Sequence, residues 1–462
     1  MPTLRDCLGI LIFCAACAAC SPQAAAPATR VAAAATTAAS RADSPEQTFP
    51  LRVEHDKRYL VDAAGNPFLI RGDAAWSLIA VPTEGEVDTY LQDRHSRGFN
   101  TLLVNLLEHR YAPHAPLNAD GQGPFLTPGD YSTPNEQYFA HADRVLRRAA
   151  ERGFLVLLAP SFLGYTGTDH GWYREMQANG VAKLREFGRY LGRRYRDFPN
   201  ILWVHAGDMD PPDKELVEAL AAGIAETDPQ ALATAHCGPD TAAIEYWGDR
   251  PWLRVNTIYS HHPVYIPALI QYARAERMPF FLIESVYENE HDVSQAQLRA
   301  QAYQALLSGA AGEVFGNNPV WNFNGNPPYP VPLHWQNELG SVGTRSMGHV
   351  HDLFAAHKWW TLAPDDSHSF VLLGRGAEWL RTTGAVAADR SFALIYVPTL
   401  RHVLLNLHRI TGSRVRATWF DPADGTSRPD SGSPYSPRLH LFQAPGKNSA
   451  GDGDWVLVLE AV

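Results

Sequence analysis

The chain has 462 residues, of which 45% are hydrophobic and 19% are charged, and its formal net charge at pH 7 is −10. This length exceeds that of one ordinary domain and suits a barrel with a smaller partner domain, and the composition is that of a globular protein. The acidic balance argues against a nucleic-acid-binding protein, because phosphate contacts need clustered Lys and Arg.

Residues 1–20 are typical of an export signal. Arg5 precedes an apolar run, Leu8 to Ala19, that is too short to span a bilayer as an ordinary helix. Small residues before Cys20, which is followed by Ser21, resemble a bacterial lipoprotein cleavage site with Cys20 as the lipidated residue. Plain cleavage after a small residue is the alternative. We expect an exported protein, periplasmic or anchored to the outer membrane, whose only membrane attachment is a lipid at Cys20.

Residues 21–48 are rich in Ala, Thr, Pro and Ser and have no apolar periodicity, so they are predicted to form a flexible tether. Four of the five cysteines lie at or before Cys20, and Cys237 is the fifth. We therefore expect no disulfide within the folded part, which must be stabilised by its core.

Between residues 49 and 361, short apolar runs alternate with helical stretches. The eight runs are Phe68–Arg71, Thr101–Leu107, Phe154–Pro160, Ile201–His205, Leu232–His236, Arg254–Tyr259, Pro279–Glu284 and Gly312–Phe315. The helical stretches include Glu84–Gly98, Tyr138–Arg152, Gly180–Phe198, Lys214–Thr227, Pro267–Arg277 and Ser294–Ser308. Nearly continuous apolar runs are typical of strands buried on both faces. The alternation predicts an α/β fold, a (β/α)8 TIM barrel with a parallel sheet.

A doubly wound open sheet is the alternative architecture, but no Gly-rich phosphate loop follows an early strand. A short hairpin at residues 51–62 is predicted before the barrel. We expect it to cap the bottom of the barrel or to pair with the C-terminal sheet.

Residues 362–462 have a different pattern, in which short alternating runs are separated by turn residues. The runs are Ser369–Leu373, Ser391–Pro398, Val403–Leu407, Val415–Phe420, Leu439–Phe442 and Trp455–Leu459. This pattern predicts a small antiparallel β-sandwich domain.

Active sites of TIM barrels lie at the C-terminal ends of the strands, so polar residues there are the candidates for chemistry. Asp208 follows the buried run Ile201–Gly207, and Glu284 ends the run Phe280–Ile283. Strands four and seven lie across the barrel mouth from each other, so these two carboxylates can face each other over a bound sugar. Glycoside cleavage needs such a pair, one to protonate the leaving oxygen and one on the other side of the ring. Asp208 and Glu284 are the predicted catalytic residues; an ion-pair role is the alternative for either acid alone.

Other residues near the strand ends suit sugar binding, because polar side chains bond hydroxyls and aromatic rings pack against an apolar sugar face. The predicted substrate-binding residues are Asp73, Trp76, Asn105, His236, Tyr259, Asn318 and Trp321. Tyr259 is also expected to hydrogen-bond the nucleophilic carboxylate. A structural role is the alternative for each of these residues.

Other chemistries have weaker support. Asp208, His236, His261 and His262 are candidates for a zinc site, but no His-Glu-x-x-His motif is present. No Gly-x-Ser-x-Gly motif marks a nucleophilic serine, and a cysteine such as Cys237 at a strand end is more often simply buried. We expect neither a metal ion nor another cofactor.

Several short motifs occur in order along the chain. They are Gly72-Asp73-Ala74-Ala75-Trp76, Arg97-Gly98-Phe99-Asn100, Ile201-Leu202-Trp203-Val204 with Gly207-Asp208, Glu284-Ser285-Val286-Tyr287-Glu288, Gly309-Ala310-Ala311-Gly312 with Gly316-Asn317-Asn318 and Trp321, Trp419-Phe420-Asp421-Pro422 and Asp454-Trp455-Val456-Leu457. On these motifs the chain resembles the apiosidase-like barrels of glycoside hydrolase family 140, whose C-terminal domain is named after collagen binding. The resemblance extends from about residue 50 to the end of the chain.

The resemblance implies a glycoside hydrolase acting on plant pectic glycans, with Asp208 as the acid/base and Glu284 as the nucleophile. A retaining mechanism would place the two carboxyl groups about 5–5.5 Å apart, and an inverting one about 6.5–9.5 Å apart. We expect a monomer whose partner is an oligosaccharide or polysaccharide. A non-catalytic glycan-binding lipoprotein with the same fold is the alternative.

Overall fold

The computed structural model describes residues 47–165 and 169–462. The predicted signal segment 1–20 and nearly all of the predicted tether 21–48 lie outside the described residues. Within these two ranges, no helix is long and apolar enough to cross a membrane.

Eight parallel strands form the centre of the N-terminal domain. They are β1 (Ile70–Ala74), β2 (Thr101–Asn105), β3 (Leu155–Ala159), β4 (Ile201–Ala206), β5 (Leu232–His236), β6 (Asn256–Tyr259), β7 (Phe280–Glu284) and β8 (Gly312–Phe315). Hydrogen-bonded neighbours follow the order β5-β4-β3-β2-β1-β8-β7-β6. Each strand overlaps one of the eight predicted runs, so the parallel sheet is confirmed.

The barrel is nearly closed between β5 and β6. The Thr257 hydroxyl donates to the carbonyl of Ala235 at 2.5 Å, and the amides of Arg254 and Val255 donate to the carbonyl of Ala233 at 3.1 and 3.3 Å. These bonds replace a regular ladder at the last seam and confirm the predicted TIM-type barrel.

Nine α-helices are present among the described residues. They are α1 (Glu84–Ser96), α2 (Glu136–Glu151), α3 (Tyr173–Tyr195), α4 (Lys214–Thr227), α5 (Ala243–Trp247), α6 (Tyr265–Ala273), α7 (Gln295–Leu307), α8 (Trp335–Glu338) and α9 (Val342–Ala355). Six overlap the predicted helical stretches. A side-chain cap begins several of them, as at Thr83, where a capping box with Glu86 satisfies free backbone N–H groups at the start of α1.

The barrel axis is filled by one apolar cluster. The middle of this cluster contains inward-facing residues such as Leu157 and Val204. The end of the cluster at the C-terminal ends of the strands contains aromatic residues such as Trp76 and Trp321. Its lower end is covered by a sheet of three two-residue strands, Arg52–Val53, Leu60–Val61 and Pro67–Phe68, whose Leu60 and Phe68 join the same cluster. Of the two expectations for this segment, the structure shows the cap at the bottom of the barrel.

The C-terminal region contains two antiparallel sheets. Its strands are β9 (Leu362–Pro364), β10 (Val371–Leu373), β11 (Thr383–Ala387), β12 (Phe392–Val397), β13 (His402–Asn406), β14 (Val415–Phe420), β15 (Ser427–Pro429), β16 (Leu439–Gln443) and β17 (Trp455–Ala461). The six-stranded sheet has the order β9-β11-β12-β17-β14-β15, and the other has the order β10-β13-β16. Apolar residues of both sheets, including Ile395, Leu405 and Phe442, share one core, as expected for a sandwich.

The second face of the six-stranded sheet packs on the barrel helices α7 and α9. Tyr303 of α7 stacks on Tyr396 of β12 with ring centroids 4.7 Å apart. Beside this pair, the fully buried Arg299 of α7 forms an ion pair with the fully buried Asp454 at 2.7 Å. The sheet is therefore buried on both faces, and it joins the two parts of the chain through a common core.

Candidate active site

A cavity of about 710 Å³ opens at the C-terminal ends of the barrel strands. The residues that line it include both predicted catalytic acids, Asp208 and Glu284. Its other lining residues include eight aromatic rings from the barrel and its loops, namely Trp76, Tyr111, Phe162, Tyr165, Tyr259, Tyr287, Trp321 and Tyr329. Concave sites lined mostly by apolar and aromatic groups with a few polar groups are typical of ligand-binding pockets.

The end of β4 has an unusual backbone that carries Asp208. Ala206, Gly207 and Asp208 have φ values of 64°, 135° and 54°. Positive φ is uncommon for residues with a side chain, and such strain often occurs at functional sites. Gly207 is required sterically as well, because a Cβ there would lie 2.4 Å from the ring of Phe162.

His236, at the end of β5, connects the two acids. Its Nδ1 accepts the backbone N–H of Asp208 at 2.9 Å, and its Nε2 lies 2.5 Å from Oε2 of Glu284. Because Nδ1 is an acceptor, the ring proton is on Nε2 and is donated to the Glu284 carboxylate. One fully buried imidazole therefore spans the distance from the backbone of one acid to the side chain of the other.

The environment of Asp208 favours its protonated form. Burial and the nearby negative charge of Glu284 raise the pKa of Asp208 to about 7, against smaller opposing effects of His236 and of a hydrogen bond from Tyr259. The Asp208 Oδ1 atom is buried and has no hydrogen-bond partner among the described residues. A carboxyl group with a raised pKa and a free oxygen in a cavity has the properties of a general acid at neutral pH.

Glu284 is positioned by a donor at the end of β5, by a donor in the loop after its own strand, and by its own backbone. Besides His236, the hydroxyl of Tyr287 hydrogen-bonds this carboxyl group, and that hydroxyl in turn accepts the indole N–H of Trp76 at 3.0 Å. The register between β7 and β6 shifts between Leu282 and Glu284, and irregularities of this kind change the direction of a side chain.

Tyr259 has a different partner from the one predicted. Its hydroxyl hydrogen-bonds Asp208, and His261 Nε2 lies 2.9 Å from the same hydroxyl oxygen. The expected partner of Tyr259 was Glu284, but the structure shows Tyr259 bonded to Asp208 and Tyr287 bonded to Glu284.

Three of the predicted substrate-binding residues, Trp76, Tyr259 and Trp321, line the cavity. The structure places the other four behind its wall. Asp73 is fully buried and accepts the Tyr90 hydroxyl at 2.5 Å, and Asn105 is buried at the end of β2. Both side chains are therefore covered by protein in this structure, and their contact with a sugar stays a prediction.

Asn318 and His236 also lie behind the wall. The fully buried Asn318 amide donates to the carbonyl of Tyr329 at 2.6 Å, which fixes a loop whose aromatic ring lines the cavity. His236 contacts the two acids instead of the cavity. The structure thus buries both side chains behind the cavity wall, and their contact with a substrate stays a prediction.

The structure adds Glu290, which the sequence analysis did not select. Glu290 lines the cavity, accepts the indole N–H of Trp321 at 3.0 Å, and has its pKa raised to about 7 by burial. Tyr287 and Glu290 follow β7 within six residues of Glu284, so the loop after a strand that carries a catalytic candidate was the available signal.

The four residues considered for zinc are not arranged as a metal site. Within residues 47–165 and 169–462, no group of three or more His, Cys, Asp or Glu side chains is placed to hold a metal ion. Both ring nitrogens of His236 are already engaged, by Asp208 and by Glu284.

Comparison with known proteins agrees with this geometry. The sequence profile described as "Apiosidase-like, catalytic domain" matches residues 54–361, and the one described as "Putative collagen-binding domain of a collagenase" matches residues 372–460. No curated protein sequence matches the chain.

Solved structures share the fold. A glycoside hydrolase family 5 protein from Bacteroides vulgatus ATCC 8482 is 22% identical, with a TM-score of 0.79 and coverage of 90% of this chain and 94% of that one. A protein described as "Glycoside hydrolase" is also 22% identical, with a TM-score of 0.79 and coverage of 89% and 97%. A "putative glycoside hydrolase" from the same Bacteroides strain is 15% identical, with a TM-score of 0.67 and coverage of 91% and 83%. At these identities the likeness shows the fold alone.

The family match covers two thirds of the chain and contains both carboxyl groups, the imidazole between them and the barrel part of the cavity wall. The chain thus belongs to the family of apiosidase-like catalytic domains, and it is a glycosidase.

Proposed function

We propose that this glycosidase is exported, belongs to glycoside hydrolase family 140 and cleaves pectic plant glycans with retention of configuration. Asp208 is the acid/base and Glu284 is the nucleophile. The observation that carries this proposal is the arrangement of two carboxyl groups in one cavity, with one imidazole bonded to the backbone of the first and to the carboxylate of the second.

In the first step, Glu284 attacks the anomeric carbon and the bond to the leaving oxygen breaks. Asp208 gives its proton to that oxygen, so the leaving group departs as an alcohol. In the second step, the ionised Asp208 takes a proton from water, whose oxygen attacks the anomeric carbon and frees Glu284. Asp208 fits the first role because its pKa of about 7 keeps much of it protonated near neutral pH.

The neighbours of Glu284 support its role as the nucleophile. The Nε2–H of His236 and the hydroxyl of Tyr287 hold its carboxylate in one orientation. Preorganised donors of this kind remove the need to reorient groups during reaction. His236 also accepts the backbone N–H of Asp208. The imidazole therefore links the two acids and restrains the movement of each.

The substrate class and the location have separate support. The family name points to apiose-containing glycans, the resemblance to glycoside hydrolase family 140 points to pectin as their source, and the aromatic cavity suits sugar rings. The apolar run from Leu8 to Ala19, followed by Cys20, supports export and a lipid anchor.

Substitution of both acids tests the proposal. We expect Glu284→Gln and Asp208→Asn to lower kcat on pectic oligosaccharides by roughly 10³-fold or more, while the affinity measured by calorimetry stays within a few-fold of wild type. The exposed acids Glu276 and Asp249 offer matched controls, since Glu276→Gln and Asp249→Asn make the same changes outside the cavity.

The alternative of a non-catalytic glycan-binding protein gives a different result. Such a protein would bind oligosaccharides without turnover, and neither substitution would change any rate. Unchanged turnover in Glu284→Gln would contradict the assignment of the nucleophile. Formation of the first product with inverted anomeric configuration, followed by ¹H NMR, would contradict retention.

A further inference from the structure

Trp379, a residue of the C-terminal domain, lines the same cavity as Asp208 and Glu284. It lies in a one-turn 3-10 helix, Glu378–Leu380, beyond residue 361, where the match to the catalytic-domain family ends. The C-terminal domain therefore contributes a large aromatic side chain to the wall of the active-site cavity.

The loop that follows β7 and the start of α7 also contribute to the wall of this cavity. The lining includes Glu284, Val286 and Val293 of that loop, Gln297 in the first turn of α7, and Trp379. The cavity volume of about 710 Å³ lies in the range of roughly 300–1,000 Å³ that holds drug-sized ligands. The space is therefore sufficient for more than one sugar ring.

The turn that carries Trp379 is fixed against two barrel helices. The fully buried Gln304 of α7 donates from Nε2 to the carbonyl of Glu378 at 3.1 Å. The guanidinium group of Arg381 lies over the ring of Tyr265, the first residue of α6, 5.2 Å from the ring centroid. A side chain on such a support is held in place before a ligand arrives, which lowers the entropic cost of binding.

The loop is also closed on itself. The Thr382 amide donates to the carbonyl of Arg375 at 2.6 Å, and the Thr382 hydroxyl donates to the carbonyl of Gly374 at 2.9 Å. Glu378, the residue before Trp379, has a φ of 53°, which is uncommon for a residue with a side chain. The surrounding contacts hold this backbone in one conformation.

Trp379 itself is partly buried. Its side chain packs on the large apolar core that barrel and C-terminal sheet share, and it also borders the cavity. Its indole N–H donates to no atom of the described residues. An aromatic face combined with a free polar N–H is suited to the apolar face and the hydroxyl groups of a sugar.

We propose that Trp379 is a binding platform for a second sugar ring, so that the substrate extends from the Asp208–Glu284 pair across the β7–α7 loop to the C-terminal domain. This inference rests on the proposed function, because it assigns a further subsite to the same cavity. It predicts a substrate that is an oligosaccharide, whose outer ring is recognised by a residue outside the barrel.

The test compares Trp379→Ala with Leu380→Ala. Leu380 is the next residue of the same turn, is 52% exposed and does not line the cavity, so it is a matched control. Both changes are made in wild type and in the Glu284→Gln protein. The affinity of the Glu284→Gln proteins for size-fractionated pectic oligosaccharides and for the matching monosaccharides is measured by isothermal titration calorimetry, and wild-type backgrounds are assayed on 4-nitrophenyl monoglycosides.

We expect Trp379→Ala to weaken oligosaccharide binding roughly tenfold, which is the order of a lost aromatic contact. Leu380→Ala should have no effect, and Trp379→Phe should retain part of the affinity. Unchanged kcat of the Leu380→Ala protein on the monoglycosides shows that a substitution in this turn leaves the catalytic pair intact. Equal thermal unfolding midpoints of the two variants show that the Trp379→Ala protein is folded.

Three results would overturn the proposed role of Trp379. They are an equal loss of affinity for oligosaccharides and monosaccharides in Trp379→Ala, no loss of affinity for either, and no binding of any oligosaccharide. These outcomes differ from failure of the proposed function, which is shown by unchanged hydrolysis in Glu284→Gln. If Glu284→Gln retains turnover, the KM values for the oligosaccharides and the monoglycosides replace the affinities, and the same comparison decides the role of Trp379.

Discussion

Three consecutive residues at the end of β4 determine where the acid Asp208 points. Ala206, Gly207 and Asp208 all have positive φ, and Gly207 leaves no space for a Cβ beside Phe162. The left-handed backbone directs the Asp208 N–H to His236 and its side chain to the cavity. The strained backbone at these three positions therefore raises the energy of the folded chain, and the same conformation gives Asp208 its orientation in the site.

Substitutions at Ala206 and Gly207 test this cost. Ala206→Gly should stabilise the protein or leave its free energy of unfolding unchanged, because glycine adopts positive φ freely, whereas Ala206→Val should lose at least about 1 kcal/mol. Gly207→Ala should lower kcat, since the added Cβ displaces Phe162 at the cavity wall. Chemical denaturation and steady-state kinetics provide the measurements, and a more stable Ala206→Val protein would contradict the strain.

The protonation of Asp208 predicts a pH dependence. Because the acid must carry a proton, kcat/KM should fall as the pH rises through about 7, the pKa to which burial and Glu284 raise this group. The hydrogen bond from Tyr259 lowers that pKa, so Tyr259→Phe should move the fall in activity to higher pH. The pH–rate profile checks both expectations, and a shift to lower pH in Tyr259→Phe would refute the assignment.

His236 is expected to act as a positioning residue. His236→Ala removes one donor to Glu284 and the acceptor of the Asp208 N–H, so kcat should fall roughly 10- to 100-fold, the effect of a lost hydrogen bond to a charged group. KM should change little, and His236→Gln, which keeps a donor and an acceptor, should recover part of the rate. A raised KM with unchanged kcat would instead support the substrate contact that the sequence predicted.

At the scale of elements, the barrel strands were predictable because each is a short apolar run bounded by polar or turn residues. The catalytic candidates followed from strand order, since the ends of β4 and β7 carry Asp208 and Glu284. The burial of other strand-end residues behind the cavity wall was not predictable in the same way. Asp73 lies near the end of β1, as the two predicted catalytic acids lie near the ends of β4 and β7. Tyr90 and Arg94 of α1 cover and bond Asp73, however, and only the packing of α1 reveals this.

The strand β11, Thr383–Ala387, was not predicted for a different reason. The expected sandwich has one solvent-exposed face per sheet and therefore alternating polar residues, but β11 is buried along its whole length between the sandwich core and the barrel helices. The Gly and Ala residues of its Thr-Gly-Ala-Val-Ala sequence suit this close packing and remove the alternation.

The ion pair between α7 and the C-terminal sheet should be sensitive to the loss of one partner. Asp454→Asn leaves the buried Arg299 charge poorly compensated, because Asp452 is its other carboxylate partner and is partly exposed. We expect a loss of about 3–5 kcal/mol in the free energy of unfolding. Asp452→Asn should cost clearly less, and equal effects of the two substitutions in denaturant unfolding would contradict the importance of the buried pair.

At the scale of the whole molecule, the two domains share a packed core and one cavity wall. The six-stranded sheet is covered by α7 and α9 on one face and by the smaller sheet on the other, and Trp379 brings the second domain into the cavity. This contribution could not be read from the sequence, because Trp379 and Glu284 lie 95 positions apart and in different predicted domains.

Covalent trapping on Glu284 tests the central claim most directly. An activated 2-deoxy-2-fluoro glycoside of the sugar that the enzyme turns over should inactivate it, because the fluorine slows release of the glycosyl-enzyme intermediate. Mass spectrometry of the digested protein should find one added fluoro-sugar, on the peptide and the residue of Glu284. A label on another carboxyl group, or steady turnover of active glycosides without any label, would contradict a retaining mechanism with Glu284 as the nucleophile.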